Sequence, residues 1–246
     1  MKYVSKLLDS STFTTWLNLI SKSFSLLLIH PLIIKYYSAE ETNLWFILIS
    51  AFSFLQIFDF GLVSNSTRII AANKEIKNFN INQSIYDSFQ LYVLISILVF
   101  VVFFPILILY LENTYDYLTS RKIIYISFYT CIAGVFNLFN NYFISMFQGM
   151  SKVAIVQRTM AFVNLIVVLI TLLTIFLFDN LFLVLFVFLS QGIFSCIVLY
   201  YYSNRIFNIE IFDKNVKKFK FKSEVFTSSW KSGLGVMFSL GLFNYS

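Results

Sequence analysis

VAIVQRTMAFVNLIVVLITLLTIFLFDNLFLVLFVFLSQGIFSCIVLYYY, residues 153–202, carries only two formal charges, Arg158 and Asp179. Asp179 and Asn180 divide it into two apolar stretches, 153–178 and 181–202. A helix needs about 20 mostly apolar residues to cross the hydrocarbon of a bilayer. Both stretches reach that length, so the segment predicts two spans joined by a minimal turn. The same reading finds further runs at 12–34, 44–63, 91–111 and 123–147, six in all, and a seventh that begins near 226. The alternating pattern of a membrane barrel is missing, and lipid permits no open strand edges, so the runs read as helices.

Composition agrees. Of 246 residues 59% are hydrophobic, 20% aromatic and 12% charged, and the mean hydropathy is +0.79. A soluble domain has about 25% charged residues, and no water-soluble fold of this size hides so much apolar side chain. The predicted class is an all-α integral membrane protein. It has a six-helix lobe over 1–203, a basic loop over 204–225 and the start of a second lobe over 226–246. Proline occurs only at 31 and 105 and glycine seven times, which gives little support for a transporter built on broken helices. His30-Pro31 reads as a helix end, and the external pair Glu40-Glu41 as solvated. The first run lacks a small-residue cleavage site and reads as a retained span. Cys131 and Cys196 lie inside apolar runs and His30 is the sole histidine, so no disulfide framework, metal site or cofactor is expected.

Net charge is +6, and the basic residues lie mostly between the runs. They read as topology signals rather than a nucleic-acid patch. A cytoplasmic N-terminus puts Lys2, Lys6, Arg68, Lys74, Lys77, Lys152, Arg205, Lys214, Lys217, Lys218, Lys220 and Lys222 inside, against Lys35, Arg121 and Lys122 outside. The external loops are short, with no room for a catalytic or receptor domain. KNVKKFKFK at 214–222 is either an anchor on anionic lipid or a collector for an anionic lipid-linked substrate. An echo links the first and seventh runs: Thr14-Thr15-Trp16, then Phe24-Ser25-Leu26, return 214 residues later as Ser228-Ser229-Trp230 and Phe238-Ser239-Leu240. Parallel six-span repeats are one transporter plan.

Polar residues inside the runs form stripes. Thr130, Gly134, Asn137, Asn141, Ser145 and Gln148 share one helical face; so do Gln157, Asn164 and Thr171. Asn18, Ser21, Lys22 and Ser25 cluster on the first run, and Ser53, Gln56 and Asp59 on the second. Such faces avoid lipid. They either hold helices together by hydrogen bonds or line a hydrated central cavity. The cavity is favoured because four helices contribute and Lys22, Asp59 and Arg158 join them. Lys22 stands about 15 Å into its run, too deep for easy snorkelling. Asp59 is expected about five residues from the inner end of the second run.

Asp59-Phe60-Gly61-Leu62, followed by Arg68-Ile69-Ile70, resembles the D-F-G-L…R pattern of the polysaccharide flippases, the Wzx-type O-antigen and teichuronic-acid exporters of the MOP superfamily. Phe147-Gln148-Gly149 and Trp230-Lys231-Ser232-Gly233 resemble segments of the same family. The resemblance covers essentially the whole chain but about half of a typical member, which has two six-helix lobes around a cavity. It implies the N-terminal half of a flippase, or a half-size protein that dimerises.

The implied activity is movement of an undecaprenyl-diphosphate-linked oligosaccharide from the inner to the outer leaflet of the bacterial inner membrane, without covalent chemistry. Lys22 and Arg158 would offset the diphosphate charge, and Asn137, Asn141, Gln148 and Asn164 would bind sugar hydroxyls. Asp59 would carry a coupled H⁺ or Na⁺ or balance a nearby cation; Asp59, Gly61 and Arg68 carry the family motif. Partners would be the lipid-linked oligosaccharide, anionic lipid and other polysaccharide-assembly membrane proteins. The alternatives are a MATE-like cation exporter, which an acidic cavity would suit better, a non-transporting scaffold, and a membrane enzyme, for which no paired carboxylate lies inside a run.

Overall fold

Apolar runs bounded by caps and turns become helices in the computed structural model, which describes residues 10–59, 61–75 and 81–207. The seventh run, the 214–222 basic stretch and the second copy of the echo lie outside the described residues. The helices are α1 (Ser11–Tyr36), α2 (Ala39–Leu55), a 3₁₀ turn (Gln56–Asp59), α3 (Leu62–Glu75), α4 (Ile81–Thr114), α5 (Ser120–Gly149), α6 (Val153–Leu177), α7 (Leu181–Leu189) and α8 (Gln191–Phe207). Among the described residues there is no strand.

The caps are local and legible. The Ser10 hydroxyl accepts from the Phe13 N–H to open α1. Ser38 and Glu41 form a reciprocal capping box at the start of α2, so Glu41 of the pair expected to be solvated is a cap. The Asn180 side chain accepts from the N–H groups of Phe182 and Leu183, which starts α7 three residues after Phe178. α1 does not end at His30-Pro31. It continues to Tyr36, and His30 Nδ1 accepts from Trp45 Nε1 at 3.1 Å, tying α1 to α2.

Five helices are long and apolar enough to cross a membrane: α1, α4, α5, α6 and the α7–α8 pair taken as one span, Leu181–Phe207. The chain is thus a multi-pass, all-α membrane protein. The predicted second span, 44–63, is not one continuous helix. α2 stops at Leu55, the backbone tightens into the 3₁₀ turn, Gly61 takes φ 71°, and α3 carries on to Glu75. A left-handed φ suits glycine, which lacks the Cβ that would clash there. A helix can therefore break without proline, and the expectation against broken helices is overturned at this span. α4 also begins ten residues before the predicted run, because its first turns pair with α3 rather than with lipid: Asn73 Nδ2 donates to Ser84 Oγ at 2.7 Å.

α1 runs parallel to α6: Asn18 meets Gln157 near one end, and Tyr36 meets Phe176 at the other. α5 runs parallel to the α7–α8 span, through Tyr129–Phe186 on α7 and Phe147–Phe207 on α8, and antiparallel to α4, through Phe104–Phe128 and Phe89–Phe139. The α2–α3 path follows α5, with Leu55 beside Gly134 and Ile70 beside Gly149. α5 is thus the central post of the bundle.

The burial pattern is inverted relative to a soluble protein. The buried side of α1 is Thr14, Asn18, Ser21 and Ser25, then Ile29 and Ile33. Its outward side is Trp16, Leu19, Ile20 and Leu27; Leu27 is 71% exposed and Ser21 2%. Hydrocarbon accepts the apolar side, and α6 receives the polar one.

Close helix approach depends on Gly134, where Leu55 packs, and more rigidly on glycine at two further places. A Cβ on Gly149 would fall 2.7 Å from Ile70 Cβ and 3.0 Å from the Thr67 carbonyl, and one on Gly192 would fall 3.2 Å from the Ala133 carbonyl. Gly149→Val is expected to push α3 off α5 and cost about 1–3 kcal/mol. Thermal unfolding of the detergent-solubilised protein checks this; an unchanged melting temperature would mean that α3 is not clamped there.

Candidate cavity and helix-break site

Polar atoms on six elements converge at the middle of the bundle. α1 and α2 meet at His30–Trp45, and a cavity of about 210 Å³ lies between them and α5, α6 and α8. Its polar lining includes Lys22 and Ser25 from α1, Ser53 from α2 and Gln56 from the 3₁₀ turn. Asn137, Asn164, Gln191 and Ser195 complete it from α5, α6 and α8. Leu26, Ile49, Phe52, Met160 and Phe188 provide the apolar wall. Lys22 stands near the middle of α1, and its ammonium is the charged group of this lining.

One side of the cavity is knitted by amides. Asn18 Nδ2 donates to Gln157 Oε1 at 2.7 Å, and Asn164 Nδ2 donates to Asn18 Oδ1 at 3.1 Å and to Ser21 Oγ at 3.4 Å. Gln191 Nε2 donates to Asn164 Oδ1. α1, α6 and α8 are fastened by this chain. Asn140 Nδ2 adds a bond to the Gly192 carbonyl at 2.9 Å, joining α5 to α8. Hydrogen bonding between helices and cavity lining therefore coexist here rather than compete.

Asp59 occupies the break in the α2–α3 path. Its carboxylate accepts from the Val63 N–H in the first turn of α3 at 3.4 Å, from Tyr92 Oη at 3.2 Å and from Asn141 Nδ2 at 3.4 Å. A helix N-terminus and two neutral donors thus hold it, with α3, α4 and α5 each supplying one. Asp59 is also deeper than expected. Asn141 at its level is eight residues from Gly149, about 12 Å along α5, and α3 runs on beyond the break.

The structure brings Lys22, Asn137 and Asn164 together around the cavity. It places the other predicted site residues elsewhere. Asn141 is bonded to Asp59. Gln148 lies at the far end of α5, where its Oε1 accepts from Thr67 Oγ1 at 3.5 Å. Arg158 lines a separate groove between α6 and α8. Arg68 of the family motif is exposed on α3, whereas Gly61 supplies the left-handed residue of the break. Gln191 and Ser195 were missed by sequence reasoning. Their signal was Ser190-Gln191-Gly192, three non-aliphatic residues that interrupt the last apolar run. Among the described residues no three His, Cys, Asp or Glu side chains gather to hold a metal.

The model of one protein family, described as polysaccharide biosynthesis protein, matches residues 7–245, and the chain belongs to that family. No curated protein and no solved structure matches it. Family and apolar helices together fit a membrane protein that works in the handling of polysaccharide.

Asp59→Asn keeps an acceptor for Tyr92 and Asn141 and is expected to melt near the wild type. Asp59→Leu strands both donors and is expected to lose about 1–3 kcal/mol, read as a lower melting temperature in detergent. Equal melting of the two variants would remove Asp59 from its structural role.

Proposed function

We propose that this member of the polysaccharide biosynthesis protein family is a flippase of the Wzx type. It would carry an isoprenoid-diphosphate-linked oligosaccharide from the inner to the outer leaflet of the bacterial cytoplasmic membrane, with its N-terminus on the cytoplasmic side. The observation that carries this reading is Lys22 at mid-depth on a cavity whose other polar lining consists of amides and hydroxyls. A diphosphate cannot cross about 30 Å of hydrocarbon unaided. An ammonium offsets its charge, and the free amide edges of Gln56, Asn137 and Gln191 suit sugar hydroxyls. An organic cation is the poorer fit, because the cavity offers it a lysine. An outward apolar surface with a polar cavity behind it also suits a carrier better than a scaffold.

The cavity is partly open, and in this reading the described bundle supplies one lobe while a second lobe or a second copy completes the wall. Alternating access then amounts to a change in which mouth of the cavity is open. The break at Gln56–Gly61 lets α2, which carries Ser53 on the cavity wall, pivot while α3 stays packed on α5. Asp59 at the pivot is the group that an H⁺ or Na⁺ would neutralise, coupling the ion to the motion. Gln148 and Arg158 lie away from the cavity and are left out of the sugar-binding set.

The test is export of surface glycan in cells that depend on this protein. Lys22→Ala, at unchanged membrane level, is expected to reduce export about tenfold or more, a loss of order 1.4 kcal/mol, and Lys22→Arg to retain most of it. Full export by Lys22→Ala would end the cation role. A second readout tests the cavity itself. In a background with Cys131 and Cys196 replaced by serine, Lys22→Cys and Asn137→Cys are expected to react with a membrane-impermeant thiol reagent, and Phe162→Cys on the outer face of α6 is not. Absence of reaction at both cavity positions would mean that water does not reach them.

A further inference from the structure

The groove between α6 and α8 differs in kind from the cavity. It has a volume of about 460 Å³, and Arg158, Phe162, Ile166 and Ile170 follow one ridge of α6 at four-residue spacing. Phe194, Val198 and Tyr202 face them from α8, which runs in the opposite direction. Arg158 and Tyr202 therefore share one end, and Ile170 and Phe194 the other. The polar side chains of the lining, Arg158, Thr159 and Tyr202, are confined to the first end; the remaining length is hydrocarbon and aromatic. The twelve residues from 158 to 170 give it a length of about 18 Å. Arg158 stands five residues into α6, about 8 Å from the helix start, where a long side chain reaches the level of lipid headgroups.

We infer that this groove binds one anionic glycerophospholipid, its phosphate on the Arg158 guanidinium and Tyr202 hydroxyl and one acyl chain laid between α6 and α8. Charge and shape together select this occupant. A partner helix would bring side chains of mixed polarity to a slot that is polar at one end alone. A zwitterionic lipid would bring its own cation toward Arg158, whereas a net-anionic headgroup brings none. The groove is not an arm of the cavity. Met160 and Asn164 face the cavity, Thr159 and Val163 face the groove, and the Gln191–Asn164 hydrogen bond crosses the α6–α8 seam that divides them. A lipid seated outside that seam would press α8 onto α6 and support the bond behind it.

The test uses the full-length protein reconstituted in phosphatidylcholine vesicles containing a minor fraction of phosphatidylglycerol, then extracted and weighed with its retained lipids by native mass spectrometry. The wild type is expected to retain phosphatidylglycerol in preference to phosphatidylcholine. Arg158→Gln is expected to weaken that preference about five- to tenfold. Ile166→Trp, which fills the groove, is expected to weaken it as much with the charge intact, while Arg158→Lys and the exposed Arg205→Gln keep it. Unchanged preference in Arg158→Gln overturns the site. So does unchanged preference in Ile166→Trp, which would leave only surface attraction, or displacement by glycerol phosphate, which would mean that the chain is not read. Stronger retention of an isoprenoid phosphate than of phosphatidylglycerol would overturn the assignment to a glycerophospholipid. Should Arg158→Gln fail to fold, the Ile166→Trp and Arg158→Lys pair decides the matter alone.

Discussion

Hydrocarbon offers no hydrogen bonds, so a polar group carried into it is costly unless it finds a partner within the protein. The arrangement of this bundle follows from that constraint. Asn18 and Ser21 turn inward because α6 presents Gln157 and Asn164 to them. α8 joins the same network through Gln191, and its Gly192 carbonyl is met by Asn140 of α5. The amides thus do for these helices what apolar side chains do in water-soluble bundles: they identify the correct neighbour. Dispersion then holds the arrangement, through aromatic contacts such as Tyr129 on Phe186 and Phe104 on Phe128.

The same constraint explains why the chain can break where it does. An interrupted helix frees backbone groups, and the membrane tolerates this only where protein surrounds them. The Gln56–Gly61 break lies against α4 and α5, with Asp59 answering the Val63 N–H and itself answered by Tyr92 and Asn141. Its other side opens on the cavity through Gln56. The irregular backbone, the buried carboxylate and the polar cavity are therefore parts of one solution. Each would be costly in lipid without the others.

Helix class and most span positions were legible in the sequence because both depend on local runs of apolar residues. The polar stripes were legible too, since helical periodicity alone puts Asn18, Ser21, Lys22 and Ser25 on one side of α1. What periodicity cannot give is which stripe meets which. Asn137 and Asn141 are neighbours on one face of α5, yet Asn137 looks into the cavity and Asn141 is taken up by Asp59. Arg158 sits one residue from Gln157 but on another side of α6, where it faces a groove instead of α1. The break was hidden because Gln56, Ile57 and Phe58 do not differ in hydropathy from an ordinary span, and Gly61 was one glycine among seven. Its cause is three-dimensional: donors supplied to the Asp59 carboxylate by Tyr92, Asn141 and Val63.

The pairing of α1 with α6 has a further meaning for how the protein is made. Asn18 and Gln157 are separated by 139 positions, and Asn164 and Asn18 by 146. A ribosome that delivers spans to the membrane in order delivers α1 long before its partner exists. During that interval the polar side of α1, including Lys22, must be sheltered by something else: the insertion machinery, water at the headgroups, or an interim helix. α6 and α7 face no such wait, since the Asp179–Asn180 turn makes them a hairpin as soon as both emerge. Within the described bundle the arrival of α6 is therefore the step that gives the polar side of α1 its partner.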